Sequence, residues 1–156
     1  MDNIDEIHIR QIREDERVPM ALLRIADPSE QQICSYLAKS DCYVAEMDGE
    51  IIGVCVAGET SRDAIEIYNI AVTEGHQGKG LGKHLLMDAV ERYAQSGWKS
   101  IEIGTGNSSI GQLALYQKCG FRIDGIIHNF FVDNYEDHIY ENGIWCRDMI
   151  RLKRAL

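Results

Sequence analysis

Between Ile65 and His84 the chain reads IEIYNIAVTEGHQGKGLGKH, and this stretch constrains the fold more than any other. Ile65-Glu66-Ile67-Tyr68-Asn69-Ile70-Ala71-Val72 is apolar and rich in β-branched residues, the pattern of a buried strand. Thr73-Glu74-Gly75-His76 is a polar turn. Gly78, Gly80 and Gly82 then alternate with Lys79 and Leu81, between Gln77 and Lys83. Leu85, Leu86, Ala89, Val90 and Tyr93 follow with helical spacing. A strand, a glycine loop and a helix start in this order aim unpaired backbone N–H groups at an anion. Glycine lets the main chain approach the ligand, and the first helical turn adds free donors and a positive dipole end. The expected ligand carries phosphate.

The spacing selects among phosphate ligands. Gly75 and Gly80 stand as far apart as the P-loop glycines, but Leu81-Gly82 occupy the Lys-Ser/Thr positions, so that reading fails. A dinucleotide fingerprint begun at Gly78 meets Lys83 in place of its third glycine, although Glu102 lies at the distance of a ribose contact. Gln77-Gly78-Lys79-Gly80-Leu81-Gly82 does satisfy Q/R-x-x-G-x-G/A. In this the loop resembles the acyl-CoA loop of the GCN5-related N-acetyltransferase (GNAT) superfamily, whose backbone amides hold the coenzyme A pyrophosphate. A glycine turn that merely joins strand to helix is the plain alternative.

A length of 156 residues, 45% of them hydrophobic, suits one domain, 1–156, with a real core. The start, Met1 to Glu6, is acidic and lacks the apolar segment of a signal peptide. No apolar run approaches the ~20 residues of a membrane helix, so a cytoplasmic protein is expected. A formal charge of −9 argues against nucleic acid, whose phosphates need Lys and Arg, but not against a ligand held by backbone amides. Cys34, Cys42, Cys55, Cys119 and Cys146 are scattered without C-x-x-C spacing and read as buried reduced thiols. The five histidines show no metal-ligand spacing, so no metal is expected.

Ile7 to Ile12 alternates as a strand. Met20–Ile25 is helical, and Asp27-Pro28-Ser29-Glu30 opens a second helix with Ile33, Tyr36 and Leu37 on its apolar stripe. Cys42–Met47 and Ile51–Gly58 form a hairpin about Asp48-Gly49. After the central strand and its helix, Ser100–Ile103 is a strand closed by Gly104-Thr105-Gly106-Asn107. Ser109-Ile110-Gly111-Gln112 has the capping-box spacing, so a helix runs from there to Lys118-Cys119. Phe121 to Ile123 begins a further strand, and Cys146–Lys153 is the last. The order gives a mixed α/β fold with helices on both faces of the sheet. Asn107 and Ala114-Leu115-Tyr116-Gln117-Lys118-Cys119-Gly120-Phe121 resemble a second GNAT segment, N…A-x-x-[LF]-Y-x-K-x-G-F. Together the two motifs imply a GNAT-like acyl-CoA N-acyltransferase fold with a mostly antiparallel central sheet.

The resemblance implies direct transfer of an acetyl group from acetyl-CoA to an amine. It gives the thioester carbonyl to a backbone N–H near Ile70 and the pantetheine amides to Ala71 and Val72. Gln77, Gly78, Lys79, Gly80, Leu81, Gly82 and Lys83 would hold the pyrophosphate, and Asn107 would turn its amide to the cofactor. Tyr116 stands at the general-acid position; a phenol stays protonated to pH ~10, above the ~8.5 of a thiol. Glu66 matches the general base of several members. Alternation puts Glu66 on one face with Tyr68 and Ile70, yet ~13 Å along the strand from Ile70. A water relay is the expected path unless a bulge shortens it; binding a cation is the alternative role.

Asn129–Cys146 contains no Lys or Arg but holds Asp133, Glu136, Asp137 and Glu141, interleaved with Phe130, Phe131, Tyr135, Tyr140 and Trp145. As an exposed loop or long hairpin it needs no function; as an acceptor wall it would favour cationic amines. The leading reading is an N-acetyltransferase acting on a small-molecule or peptide amine, with a homodimer compatible but not indicated. A non-catalytic acyl-CoA sensor is the alternative, and a Rossmann-type nucleotide domain a third.

Overall fold

The computed structural model describes residues 6–156; the acidic start, residues 1–5, lies outside the described residues. The strands are β1 (His8–Gln11), β2 (Asp41–Met47), β3 (Glu50–Ser61), β4 (Ala64–Val72), β5 (Ser100–Gly106), β6 (Arg122–Ile127), β7 (Ile139–Glu141), β8 (Ile144–Cys146) and β9 (Met149–Ala155). The helices are α1 (Met20–Ala26), α2 (Glu30–Leu37), α3 (Leu81–Gln95), α4 (Ile110–Lys118) and α5 (Phe130–Asn134). Seven strands form one sheet in the order β1-β2-β3-β4-β5-β9-β6, and β7 and β8 form a separate hairpin. Within the large sheet only β4 and β5 pair in parallel, as a connection through α3 requires. The mixed, mostly antiparallel sheet flanked by helices is the fold that the sequence implied.

Each face of the sheet has its own core. On one face α3 buries Leu81, Leu85, Leu86, Ala89, Val90 and Tyr93 against Ile65, Ile67 and Ile103. On the other, Leu22 and Leu23 of α1 and Ile33 and Tyr36 of α2 cover Val44, Val54 and Val56. Asp48 and Gly49, both at positive φ, make the tight β2–β3 turn.

The central strand does not keep strict alternation. Val56 of β3 faces Asn69, but the next residue, Ala57, faces Ile67, so Tyr68 is an extra residue in β4. This bulge exchanges the faces beyond it. Tyr68 and Asn69 both turn to the α1–α2 side, where they meet Tyr36, while Ile70 and Val72 pack with the α3 core. The expected common face for Glu66, Tyr68 and Ile70 is therefore corrected: Ile70 lies on the opposite face from the other two.

Two further expectations change. The last strand is not continuous from Cys146: the Asn107 side-chain oxygen accepts from the Arg147 and Asp148 N–H groups at 2.9 and 3.0 Å, drawing them out of the ladder between β8 and β9. Ser109 does begin α4, but it makes no capping hydrogen bond. Its hydroxyl donates instead to Glu141 Oε1 at 2.9 Å, since an ionised carboxylate is the stronger acceptor. Leu86 is fully buried at the centre of the larger core. Leu86→Ala is expected to destabilise the fold by about 2–5 kcal/mol, seen as a lower urea midpoint with an unchanged slope.

Candidate active site

The glycine loop leaves the start of α3 open. Gly78 (φ +76°) and Gly80 (φ +85°) take left-handed conformations that disfavour any side chain. Gly80 is the N-cap of α3, and no side chain caps this helix start or places a carboxylate in its first turn. The first-turn N–H groups of a helix have no intrahelical partner, so those of α3 point outward with the dipole. Buried Leu81 anchors the turn in the core. The Gln77 side-chain amide donates to the Val72 carbonyl at 2.9 Å, fastening the loop to the end of β4. Gln77 thus shapes the loop.

β4 and β5 pair only from Ala64–Ser100 to Ile67–Ile103 and then part. Beyond the split, β4 stays bonded to β3 through Val72, while β5 stays bonded to β9 through Gly106. At and after the bulge, the edge of β4 facing the gap has no strand partner among the described residues. A cavity of about 860 Å³ opens here, with Ile70, Gly104 and Tyr116 on its walls. Tyr116 projects from α4 and is only 5% exposed. No protein group hydrogen-bonds its hydroxyl among the described residues, and burial raises its pKa well above the ordinary phenol range. At neutral pH it is a protonated donor facing the cavity.

Glu66 is engaged rather than free. Arg151 of β9 grips both its oxygens, at 2.9 and 3.0 Å, and lies 4.0 Å from Glu102. The guanidinium crosses β5 at Gly104, where a Cβ would come within 2.8 Å of it and 2.7 Å of Met149. The glycines expected to close β5 lie inside it, and this one makes room for the ion pair.

Comparison with known proteins decides the family. The sequence pattern of the Acetyltransferase (GNAT) family matches residues 6–121. The chain belongs to the GNAT acetyltransferase family. Uncharacterized N-acetyltransferase YvbK of Bacillus subtilis (strain 168) is 53% identical over 131 residues, 84% of each protein. A GNAT family acetyltransferase from Elizabethkingia anophelis, solved with acetyl-CoA bound, is 46% identical and superposes with a TM-score of 0.95 over 97% of this chain and 99% of that one. An IAA acetyltransferase from Bacillus cereus ATCC 14579 is 52% identical, with a TM-score of 0.92 over 96% of this chain and 99% of that one. This GNAT protein is an N-acetyltransferase with acetyl-CoA as its cosubstrate.

The remaining sequence candidates fall into two groups. Ile70, Ala71 and Val72 lie along the open edge, and Gly78 to Lys83 form the cradle with Lys79 and Lys83 exposed. Asn107 has protein partners: its nitrogen donates to the Trp145 carbonyl at 3.1 Å and its oxygen holds the β8–β9 hinge, so the side chain has a structural role.

The expected acceptor wall is only partly on the cavity. Phe130, Phe131, Tyr135 and Glu141 line it, whereas Glu136 and Asp137 are exposed away from it. The β7–β8 hairpin that follows them bends at Asn142-Gly143, both at positive φ, a turn signal legible in the sequence. Residues that sequence reasoning missed include Lys118, Arg122, Lys153 and Arg154, which with Lys83 surround a second depression of about 650 Å³. Cys34 is exposed, while the other four thiols are buried and free; burial pushes Cys55 up to about 12.

Gly80→Asp would place a side chain in a left-handed conformation and a negative charge at the cradle. Acetyl-CoA binding, measured by calorimetry, is expected to be lost while the melting temperature falls by only a few degrees.

Proposed function

We propose that the protein moves the acetyl group directly to a primary amine of a small molecule or peptide, with Tyr116 as general acid. Acetyl-CoA supplies the activated acyl group as a thioester. The protein's contribution begins with backbone: the amides of Gly78 to Lys83 hold the pyrophosphate, and the open edge at Ala71 and Val72 accepts the pantetheine amides as an added strand. Lys83 and the cations near it offset the charge of the adenosine phosphates. The Ile70 N–H polarises the thioester carbonyl. The neutral amine forms the C–N bond, the C–S bond breaks, and Tyr116 gives its proton to the departing sulfur. The proton lost by the amine passes to solvent, through a water relay if Glu66 takes part.

The observation that carries this reading is Tyr116: a protonated hydroxyl without a protein partner among the described residues, beside the split in the sheet. It also favours an enzyme over a sensor, which needs no acid at the thioester. The bidentate Arg151 grip favours a cation-holding role for Glu66, since a carboxylate so paired is a poor base.

Tyr116→Phe is expected to lower kcat about ten- to a thousandfold, the range for losing a general acid, with acetyl-CoA affinity unchanged. An unaltered turnover, where chemistry limits the rate, removes Tyr116 from the mechanism. The acid is active when protonated and its pKa is raised, so its loss shifts to higher pH. A wild-type alkaline limb arising from Tyr116 should therefore begin only above pH ~10 and vanish in the phenylalanine variant. Glu66→Gln separates its two roles. A base gives a loss greatest at low pH, whereas a partner for Arg151 gives a loss uniform across pH and a lower melting temperature.

A further inference from the structure

The cavity extends past Tyr116 to a buried polar cluster that the transfer chemistry leaves unused. Asp27, between α1 and α2, is 8% exposed. Its Oδ2 accepts from the Tyr36 hydroxyl at 3.0 Å; its Oδ1 accepts from the Tyr135 hydroxyl at 2.8 Å and the Ser29 N–H at 3.1 Å. Among the described residues no Lys or Arg forms an ion pair with it. A buried carboxylate without a counter-ion is costly, and hydroxyls alone do not neutralise it.

Asn69, 3% exposed, lies beside it. Its Nδ2 donates to the Leu23 carbonyl at 2.9 Å and to the Tyr36 oxygen at 3.0 Å, whereas its Oδ1 is buried without a partner. Reversing the amide would set two acceptors, Oδ1 and the Leu23 carbonyl, against each other, so this orientation is fixed. Each hydroxyl donates its single O–H to Asp27, and both amide hydrogens of Asn69 are used. The cluster has no spare donor. What remains is acceptor capacity and one negative charge on the cavity wall, complementary to an ammonium with several N–H groups.

The cations that share the cavity are already engaged. Arg24 pairs with Glu30, Lys39 sits over the Tyr68 ring, and Arg151 holds Glu66. Arg24 and Lys39 are exposed, so the uncompensated charge at depth is negative. A reacting amine must be neutral, so a cation at Asp27 is a second group of the same molecule. Asn69 precedes Ile70 directly and shares Tyr36 with Asp27, and all three line the same cavity.

We propose that Asp27, assisted by Asn69, anchors a cationic group of the acceptor, so that the preferred substrates are diamines or polyamines: one nitrogen stays charged at Asp27 and another reacts at the β4 bulge. The proposal rests on the acetyl-transfer reading and names its substrate class.

The test uses the full chain and follows CoA release with putrescine, butylamine and γ-aminobutyrate. Putrescine should exceed butylamine in kcat/KM by about tenfold or more, mostly through KM, as expected for a charge-assisted buried contact. Asp27→Asn should bring the ratio near one without changing acetyl-CoA affinity. Tyr135→Phe breaks the same network but keeps the charge, and should retain the preference. The anchor is overturned if butylamine or aminobutyrate matches putrescine in the wild type, if Asp27→Asn keeps the preference, or if both variants lose it equally. Should Asp27→Asn fail to fold, or should no amine release CoA although acetyl-CoA binds, thermal shift of the wild type decides. A rise with putrescine and not with butylamine supports the anchor, and equal rises overturn it. Absence of CoA release with a selective putrescine shift would count against the transfer reading alone.

Discussion

β4 and β5 are held side by side by four registered pairs, and beyond Ile67 and Ile103 nothing on either strand draws them together. β9 is paired with β5 along its whole length, from Ser100 to Gly106, and β3 is paired with β4 to Val72. Each strand has a partner on its far side, so the sheet remains intact while its middle opens. The bulge at Tyr68 adds local twist at the point of parting. A strand edge inside a protein carries unpaired N–H and C=O groups, and their pairing must come from elsewhere. An extended ligand bearing amides can complete that ladder. The gap, the glycine cradle at the end of β4 and the phenol of α4 are therefore parts of one arrangement set by where two strands separate.

What the sequence makes legible follows the range of the interaction. The Asp48-Gly49 hairpin, the apolar stripe of α3 and the cradle are written in neighbouring residues, and each lies where local pattern puts it. Tyr116 is legible through a compact motif. The bulge is not, because Tyr68 becomes an extra residue only through its register with β3. Asn107 illustrates the same limit. Its residue type suits a turn or a cofactor amide equally, and its partners, Trp145 to Asp148, lie in another strand pair. The Asp27–Tyr135 contact spans 108 positions and leaves no local trace.

The Tyr116 phenol and the charges in the cavity are kept apart by different physical means. A carboxylate near the thioester would be ionised at neutral pH unless burial forced a proton on it, and it would then compete for nearby cations. A phenol needs no such compromise: burial moves Tyr116 further from ionisation, so the environment that excludes water also preserves its proton. The same effect keeps Tyr36 and Tyr135 protonated, with burial as the largest cause and the adjacent Asp27 adding to it. Their hydroxyls can then serve Asp27 as donors without adding charge.

The formal charge of −9 is no obstacle to a polyanionic cosubstrate because the attraction is local. Exposed charges more than about 10 Å apart are largely screened at 0.1 M salt, so distant carboxylates weigh little at the cradle. Beside the loop stand the outward N–H donors of α3, Lys83 and the cations that surround the neighbouring depression with it, against the exposed carboxylate of Glu74. The carboxylates closest to the chemistry are occupied: Glu66 by Arg151, and Glu141 by the hydroxyls of Ser108 and Ser109. Cationic side chains thus gather beside the glycine loop, whereas among the described residues Asp27 is a buried carboxylate with no Lys or Arg paired to it.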